Sequence, residues 1–473
     1  MHLVAVGGSD AGISAALRAR ELDPTADVSV VVADAYPNFS ICGIPYYISG
    51  EVAHWRNLAH RTYADLEATG IRLRLDTLAT RIDVDGHRLW LRGNGGVDEA
   101  LSYDQLVVGT GAVPVRPPIE GLSGPEALGT PDGVHLLHSM GDTFGLTRTL
   151  EEHPASALIV GAGYVGLEMA EGLTCRGLRV TQVEMLGEVL PTVDPELGGL
   201  VRAELESHGV EVVTGTTVRR VSRADAGATG RLRVDGTAGD GRALTWFVDL
   251  VLVSVGVRPQ TELLAAAGAQ TGPRGAVVVD ETMRTGLTDV YAAGDCVITH
   301  HRLLGVTYLP LGTTAHKQGR VAGENAVGGQ ARFAGSLGTQ VVKVFDVVAA
   351  RTGLREHEAL AAGHTPATTQ STPDDHKAYY PTAYPIISRI TGDTSTGRLL
   401  GAQLVGRLGT EIAKRIDTFA AAIFHGMSVD ALSDLDLSYT PPLGSPWDAV
   451  QMASQAWVRD HQLHTQQQAL ART

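Results

Sequence analysis

The sequence has few cysteines and few aromatic residues. Its 473 residues contain three cysteines, Cys42, Cys175 and Cys296, and aromatic side chains make up only 5% of the chain. The gaps between the cysteines leave no CxxC pair, which excludes zinc-knuckle spacing and closely spaced dithiol motifs. Any cysteine chemistry in this protein must therefore use single thiols.

Basic residues and long apolar runs are also scarce. Lys and Arg total 38 against 52 Asp and Glu, and the resulting charge of −14 argues against a nucleic-acid-binding surface. The sequence has no apolar run of about 18 residues, so no membrane-spanning helix is predicted. The chain starts on a strand-like run at residues 2–6 without a signal-peptide pattern. Together with the low cysteine content, this predicts a cytoplasmic protein.

Glycine is abundant by contrast. The 56 glycines are about 12% of the chain, above the ~7% of an average protein. This excess suggests several tight phosphate-binding or chain-reversing loops. A chain of this length is also expected to form two to four domains, at about 100–200 residues each.

Strand-like and helix-like segments alternate in two separate regions. Apolar β-branched runs and Ala/Leu-rich stretches follow each other at 2–6, 12–22 and 28–33, and again at 157–160, 164–176 and 179–184. Such βαβ units predict an α/β fold with two Rossmann-like nucleotide-binding lobes. The pattern changes after Phe333, which predicts a C-terminal α+β domain. The predicted boundaries are 1–118 with 254–330 for the first lobe, 119–253 for the second, 331–455 for the third domain and 456–473 for a flexible tail.

The strongest local signal is a dinucleotide fingerprint in the second lobe. Gly161, Gly163 and Gly166 follow a predicted strand and begin a helix, and Glu184 ends the next strand. The glycines let backbone N–H groups approach a pyrophosphate, and Glu184 can accept hydrogen bonds from an adenosine ribose. Residues 185–188 offer no cation for a 2′-phosphate, so NADH is predicted as the donor, with NADPH possible. The predicted NAD residues are Gly161, Gly163, Tyr164, Val165, Gly166, Glu184 and Gly256.

A second, weaker glycine loop lies at the N-terminus. Gly7, Gly8, Ser9 and Gly12 occupy the turn between a predicted strand and helix, and Asp34 ends the following strand. Ser9 replaces the middle glycine of the GxGxxG pattern, so this segment alone is compatible with either a nucleotide site or a structural turn.

Two further segments make the chain resemble a known family. Residues 103–112 end in Thr110, Gly111 and Ala112, and residues 285–296 end in Gly294, Asp295 and Cys296. With the two glycine loops, these segments resemble the FAD-dependent pyridine nucleotide-disulfide oxidoreductases. The resemblance implies that the first loop binds the FAD diphosphate, that Thr110 and Gly111 lie at the flavin, and that Asp295 contacts the ribityl-phosphate region. Gly109 stands where the family usually has alanine.

The segment around Cys42 selects a branch of that family. Dithiol members have a second cysteine five positions later, where this chain has Tyr47. The segment resembles the single-cysteine branch, which includes coenzyme A disulfide reductases, NADH oxidases and peroxidases, and persulfide or polysulfide reductases. Asn38 replaces that branch's serine and is grouped with the FAD residues. A thiol beside flavin and near a helix start can be held as a nucleophilic thiolate; the alternative is that Cys42 is a buried small hydrophobe.

The resemblance implies several additional site residues. Glu168 is expected near the nicotinamide or flavin, or else on a solvated helix face. Lys317 is expected to begin a helix that points to the flavin pyrimidine. In coenzyme A disulfide reductases a Tyr-Thr-Pro-Pro segment and an earlier tyrosine reach the partner subunit's cysteine. Tyr439 matches the first, and Tyr379 or Tyr380 the second, unless these tyrosines only pack an interface.

The remaining cysteines and histidines are expected to be inert. Cys175, within a predicted helix, and Cys296 are interpreted as packing residues. The 17 histidines show no metal-ligand spacing, so no metal site is predicted, and His300 with His301 is expected in a surface loop.

The sequence therefore predicts a homodimeric FAD enzyme that binds neither nucleic acid nor membrane. Electrons would pass from NAD(P)H through flavin and Cys42 to a low-molecular-weight disulfide, persulfide or polysulfide. The alternatives are an NADH oxidase that cycles Cys42 through sulfenic acid and a cysteine-independent reductase of a ferredoxin-type partner. A non-catalytic flavin sensor is a more remote alternative. Peroxidase activity is less favoured because peroxidases of this branch carry a histidine at the position of Asp10.

Overall fold

The computed structural model describes residues 1–470, with side chains for residues 1–461. The strands are His2–Val6 (β1), Asp27–Val31 (β2), Ile71–Arg74 (β3), Thr77–Asp83 (β4), Arg88–Gly93 (β5), Asp98–Ser102 (β6), Gln105–Val108 (β7), Ala112–Pro114 (β8), Val134–His135 (β9), Ser156–Val160 (β10), Arg179–Val183 (β11), Glu211–Val213 (β12), Thr216–Arg223 (β13), Leu232–Ala238 (β14), Ala243–Val248 (β15), Leu250–Val253 (β16), Val257–Pro259 (β17), Val290–Ala292 (β18), Thr299–His301 (β19), Gly305–Thr307 (β20), Gln340–Val344 (β21), Val347–Gly353 (β22), Pro366–Ser371 (β23), Ile387–Asp393 (β24) and Leu399–Arg407 (β25).

The helices alternate with these strands along the chain. They are Asp10–Leu22 (α1), Ile44–Ser49 (α2), Tyr63–Ala68 (α3), Met140–Glu151 (α4), Tyr164–Cys175 (α5), Pro195–Ser207 (α6), Glu262–Ala266 (α7), Gly312–Ala326 (α8), Glu356–Ala361 (α9), Ile412–Phe424 (α10), Val429–Ser433 (α11) and Ala449–Leu470 (α12). Across the part of the chain that the structure describes, no helix combines the length and the apolar character needed to cross a membrane.

The first compact unit contains residues 1–117, 135–152 and 255–336. Its centre is a parallel five-stranded sheet in the order β18-β7-β1-β2-β3. The β-branched runs in the middle strands are buried on both faces, as parallel sheets require; Leu3, Val28 and Leu106 are fully inaccessible to solvent. The carboxyl ends of these strands carry the first glycine loop and the segments that end in Thr110 and Asp295.

The second compact unit contains residues 118–134, 153–254 and the chain from Leu337 onwards. Its nucleotide-binding part is a five-stranded sheet in the order β12-β11-β10-β16-β9, and the three-stranded antiparallel sheet β13-β14-β15 lies in the same unit. The C-terminal part is an antiparallel sheet in the order β21-β22-β25-β24-β23, against which α10 and α12 pack. The predicted α/β class with two Rossmann-like lobes and an α+β domain is confirmed.

Two predicted boundaries differ from the structure. Residues 135–152 belong to the first unit, not to the second lobe, because Phe144 of α4 packs edge-on against Tyr36 and Trp55 with ring centroids 5.3 and 5.2 Å away. The predicted start of a flexible tail at residue 456 is also wrong, because α12 continues through Leu470. Within this helix, Trp457 is buried, and its indole N–H donates to the Ala367 carbonyl at 2.8 Å. Residues 471–473 of that predicted tail lie outside the described residues.

Candidate active site

The first glycine loop has a backbone that only glycine fits. Gly7 has φ of +115°, and a Cβ there would lie 2.1 Å from the Gly109 carbonyl oxygen. A Cβ on Gly12 would lie 2.1 Å from the Gly7 oxygen, so α1 starts in direct contact with the end of β1. Ser9 caps α1 without a side-chain capping bond. The first backbone N–H groups of α1 therefore point out of a tight loop, as in sites that bind a diphosphate.

Asn38 lies against this loop and has an unusual conformation. It is 1% exposed, its φ is +60°, and its backbone N–H donates to the Gly8 carbonyl at 2.6 Å. Asparagine tolerates this left-handed conformation better than most residues. Its side-chain oxygen is buried without a hydrogen-bond partner among the described residues. A buried polar atom of this kind is expected to receive a bond from a ligand.

Asp34 follows β2 beside the same loop. Its carboxylate accepts the Tyr36 backbone N–H at 2.8 Å, and burial raises the pKa of the group. Its position at the carboxyl end of β2 is the one from which an acidic residue contacts the ribose of a bound dinucleotide.

Thr110, Gly111 and Asp295 lie at the carboxyl ends of β7 and β18. The Thr110 hydroxyl donates to the Gln260 carbonyl at 2.6 Å, and Gly111 has φ of +70°. Desolvation, with a smaller contribution from the charge of Asp10, raises the pKa of Asp295 to about 6. The glycine loop, the unpartnered Asn38 oxygen and this partly buried carboxyl together fit the diphosphate and polyol of FAD.

Lys317 does not begin its helix, so that prediction is wrong. The helix α8 begins at Gly312, five residues earlier, and Lys317 lies exposed in its interior. The first N–H groups of α8 are therefore those of Gly312 and Thr313, because the N–H groups of Thr314 and Ala315 donate to the Leu311 carbonyl at 2.9 Å. The backbone N–H of Leu311, the residue that precedes α8, lies close enough to the Asp295 carboxylate to lower its pKa slightly.

Cys42 is exposed on a short 3-10 turn, Ile41–Gly43, directly before α2. This turn is tied to the loop at residues 58–60 by a bond from the Ser40 N–H to the Leu58 carbonyl at 2.8 Å and by a bridge between Phe39 and Ala59. The interpretation of Cys42 as a buried hydrophobe is therefore wrong. Tyr47, in the position of a second thiol, lies in α2 and is half-buried.

The other two cysteines have different environments. Cys296 is fully buried and donates weakly to the Ala293 carbonyl at 3.4 Å, which confirms its packing role. Cys175 is the last residue of α5 and is exposed, so its predicted role as a packing residue within the helix is wrong. His301 also differs from prediction, because it is 4% exposed and ends β19 instead of lying in a surface loop.

The fingerprint in the second unit repeats the loop geometry of the first. Gly161 has φ of +101°, and a Cβ on Gly166 would lie 2.3 Å from the Gly161 oxygen. No atom would lie within 4 Å of a Cβ on Gly163, which leaves open space at the N-cap of α5. Glu184 is 6% exposed, and its carboxylate accepts the backbone N–H groups of Ala162 at 2.7 Å and Leu186 at 2.8 Å. The Glu184 carboxylate therefore stabilises the glycine loop through its bond to Ala162, in addition to lying next to the predicted nucleotide site.

Tyr164 and Val165 form the first turn of α5. The Tyr164 hydroxyl accepts a hydrogen bond from Thr192 at 3.3 Å, and burial raises its pKa to about 12. Val165 is 40% exposed. Glu168, one turn later, is half-buried and not on a fully solvated face. Gly256, grouped with NAD by the sequence, lies in the first unit with φ of +102°, and its carbonyl accepts the Val115 N–H.

The structure distinguishes between the two candidate tyrosines of the C-terminal domain. Tyr379 lies close to Tyr439, and partial desolvation, followed by the interaction with Tyr379, raises the pKa of the Tyr439 phenol. Tyr380 instead packs edge-on against His376 with ring centroids 5.7 Å apart. Both Tyr379 and Tyr439 are exposed. The structure therefore pairs Tyr439 with Tyr379.

The Asp375–His376 pair was missed by the sequence analysis. The imidazole Nδ1 lies 2.9 Å from the Asp375 carboxylate, and Nε2 lies 3.2 Å from the Pro381 carbonyl oxygen. These bonds hold the loop that carries Tyr379 and Tyr380. Two adjacent polar residues in a loop give no sequence signal for such a role.

A second group was missed because its members are far apart in the chain. Asp10, His60 and His316 each offer one donor atom, and these three atoms lie within 4.8 Å of one another. The predicted absence of a metal-ligand cluster rested on the spacing of histidines along the sequence, and this spacing does not show residues that meet only in the fold. Residues from the start of α1, from a loop and from α8 meet only in the fold.

Comparisons with known proteins agree with this geometry. Residues 1–319 match the family model described as pyridine nucleotide-disulphide oxidoreductase, and residues 339–449 match the dimerisation domain of the same family. Among curated proteins, the chain is 31% identical to an NADH oxidase of Methanocaldococcus jannaschii over 96% of its length and 98% of the relative's. It is 33% identical to an NAD(P)H coenzyme A polysulfide/persulfide reductase of Pyrococcus horikoshii, over 94% and 96% of the two chains.

A solved structure gives a similar match. The chain superposes on an NAD-dependent persulfide reductase from A. fulgidus with a TM-score of 0.89 and 37% sequence identity, covering 97% of this chain and 83% of that one. The similarity therefore extends over both glycine loops, the Cys42 turn and the C-terminal sheet.

Proposed function

Because the chain belongs to the FAD-dependent pyridine nucleotide-disulphide oxidoreductase family, we propose that it reduces low-molecular-weight disulfides, persulfides or polysulfides with electrons from NADH through the Cys42 thiol. The observation that carries this proposal is the exposed position of Cys42 on a turn that is hydrogen-bonded to the segment beside the first glycine loop. Tyr47 occupies the position of a second thiol, so the sulfur that pairs with Cys42 must come from the substrate.

Groups of the first unit would hold the FAD cofactor. When bound, FAD supplies the two-electron chemistry that links a pyridine nucleotide to sulfur. The start of α1 would neutralise the diphosphate, Asp34 and Asn38 would hydrogen-bond the ribose side, and Asp295 would accept a hydroxyl of the polyol. The helix dipole of α8 places partial positive charge at the N-terminus of the helix, which would stabilise negative charge on a group bound there.

The proposed reaction balances without another reductant. The Cys42 thiolate attacks one sulfur of the substrate, forms a mixed disulfide and expels the other sulfur as a thiolate. The electron pair and one proton from NADH, with one further proton, then cleave the mixed disulfide and restore Cys42. The sum is one disulfide, one NADH and one proton giving two thiols and NAD⁺; a persulfide gives one thiol and hydrogen sulfide.

Two side chains in the second unit support details of this proposal. The pKa of the Tyr439 phenol is raised, so the phenol keeps its proton and can protonate a departing thiolate, with Tyr379 beside it. Glu184 presents a carboxylate at the nucleotide loop, which would repel a 2′-phosphate and favour NADH over NADPH.

NADH oxidase activity is the second candidate, because one relative with 31% identity carries that name. In this reaction Cys42 would become a sulfenic acid and then be reduced. The structure also weakens the sequence argument against peroxide reduction. His316 Nε2 lies 3.2 Å from Asp10, so an imidazole stands beside the position where the peroxidases have a histidine.

The decisive experiment is anaerobic NADH turnover with coenzyme A disulfide, coenzyme A persulfide and polysulfide, with oxygen and peroxide as separate acceptors. Cys42→Ser should lower disulfide turnover at least about 100-fold, while NADH still bleaches the flavin. Cys175→Ser, which removes the other exposed thiol, is the matched control and should turn over normally. Full disulfide turnover by Cys42→Ser would refute the covalent route, and turnover only with oxygen would favour the oxidase.

A further inference from the structure

Asp10, His60 and His316 converge at the start of α1. Asp10 Oδ1 and His316 Nε2 are 3.2 Å apart, and the rings of His60 and His316 are 6.3 Å apart at an angle of 73°. The three donor atoms lie within 4.8 Å of one another. Bonds of about 2.0–2.2 Å to one ion require ligand atoms about 3–4 Å apart, so small side-chain rotations would bring all three to a common ion.

The backbone positions of these residues are determined by close helix packing. A Cβ on Gly319 would lie 2.3 Å from the Ala11 carbonyl oxygen, and one on Gly323 would lie 2.1 Å from that of Ala15. The helices α1 and α8 therefore touch backbone to backbone beside Asp10 and His316. Such contact leaves little freedom for the two helices to slide. The spacing between the backbones of Asp10 and His316 is thus a property of the fold, and only side-chain rotation changes the distance between the carboxylate and the imidazole.

His60 is held by a separate set of bonds. Its backbone N–H donates to the Asn38 carbonyl at 2.9 Å, and its neighbour Ala59 forms a bridge with Phe39. These bonds attach the His60 loop to the segment that leads into the Cys42 turn. The three donors therefore come from three separately anchored parts of the first unit.

Ser14 orients the His316 ring. Its hydroxyl lies 2.9 Å from His316 Nδ1, one turn along α1 from Asp10. With Nδ1–H donating to Ser14, the lone pair of Nε2 would face an ion held between it and Asp10. A second hydrogen bond of this kind fixes the tautomer of a metal-binding histidine.

We propose that Asp10, His60 and His316 bind one divalent cation of the Zn²⁺ class. Two imidazole nitrogens and one carboxylate are the donor set that such borderline ions prefer over Mg²⁺ or Ca²⁺. Three protein ligands leave a coordination position open to water or another small ligand, as in catalytic rather than structural zinc sites. The side chains of Asp10 and His316 are 24% and 47% exposed, so an ion can enter from solvent.

Two charged neighbours modulate this site in opposite directions. The positive charge of Arg61 acts on His316 and opposes a cation, whereas the Asp295 carboxyl lies close enough to Asp10 to interact with it and favours a cation. Arg61 is exposed, where its charge is screened by solvent.

Zn²⁺ titration of the chelator-treated, FAD-loaded protein tests the site. The parent carries Cys42→Ser and Cys175→Ser, so that no exposed thiol competes for zinc. Calorimetry should show one tight Zn²⁺ per chain, and X-ray absorption should show nitrogen and oxygen ligation with two imidazoles. His60→Ala and His316→Ala should each weaken binding at least about tenfold. His357→Ala, which removes an exposed histidine of α9, should bind as the parent does.

Visible flavin absorbance checks that each variant retains its cofactor and fold. Ser14→Ala keeps all three ligands and should still weaken binding, because it removes only the bond that orients His316. The proposal is overturned if the parent binds no zinc at one equivalent, if His316→Ala binds as tightly as the parent, or if the absorption spectrum shows a single imidazole.

Discussion

Asp295 illustrates how a single buried group couples stability to pH. Desolvation first, and the charge of Asp10 second, raise the pKa of this carboxyl to about 6, above the ~3.9 of an unfolded aspartate. The native state therefore holds the proton more tightly than the unfolded state does. Consequently, the stability of the cofactor-free protein falls as pH rises from about 4 to about 6.

We predict that Asp295→Asn removes this dependence. The group should account for a loss of up to about 2 kcal/mol in the free energy of unfolding between pH 4 and pH 7. Urea unfolding of the cofactor-free protein at both pH values measures it. The free energy of unfolding of the variant should match that of the wild type near pH 4 and exceed it at pH 7. Asp240→Asn, on an exposed hairpin turn, is the control. An unchanged pH slope in Asp295→Asn would show that the carboxyl is not desolvated.

At the scale of elements, the packing of α1 against α8 determines the geometry of the first unit. Gly319 and Gly323 lie on one face of α8 and contact the backbone of Ala11 and Ala15. Since α1 also carries the first glycine loop, its position controls the diphosphate site and the Asp10–His316 spacing.

We expect Gly319→Ala to be destabilising even though alanine favours helices. Its Cβ would meet backbone atoms of α1, and such overpacking costs about 1–3 kcal/mol of unfolding free energy. The change should also lower the amount of bound flavin. Gly199→Ala, in α6, is a matched control, because its Cβ would meet only a side-chain oxygen at 3.5 Å. That control should gain up to about 1 kcal/mol. Thermal unfolding and flavin content of both variants decide the matter, and equal stability of the two would contradict this packing.

At the scale of the whole molecule, the family dimerisation domain at residues 339–449 supports a homodimer. We propose that, as the resemblance to coenzyme A disulfide reductases implies, the Tyr439 phenol would act at the Cys42 thiol of the other copy. Each active site would then contain residues from both chains, and neither chain alone would be complete.

Mixed dimers test this arrangement. Cys42→Ser and Tyr439→Phe chains, each of low disulfide turnover alone, should recover up to about one quarter of wild-type turnover when co-assembled at random in equal amounts. Recovery occurs because one site of each heterodimer carries both native residues. The control is a heterodimer of a doubly substituted chain with a wild-type chain, purified away from the wild-type homodimers that random assembly also forms, and this heterodimer should be inactive. Disulfide turnover by the control heterodimer, with no recovery of turnover in the test mixture, would show that Cys42 and Tyr439 act within one chain.

Much of the fold was predictable from local patterns. The β-branched runs at β1, β2 and β10 and the glycine loops that follow them predict Rossmann-like lobes, because strand burial and close backbone approach are encoded by neighbouring residues. The end of α12 and the placement of α4 were not predictable. The burial of Trp457 and the contacts of Phe144 depend on residues far away in the chain.

The sequence by itself determined the family, the two glycine loops and the single thiol of Cys42, since each depends on residues that are adjacent or at fixed short spacing. The tertiary structure decided which tyrosine pairs with Tyr439, that Cys175 is exposed, and that Asp10 meets His60 and His316. The physical reason is that hydrogen bonds and metal–ligand contacts act over a few ångströms in space. Residues as far apart in the chain as Asp10 and His316 come within that range only when α1 and α8 pack backbone to backbone.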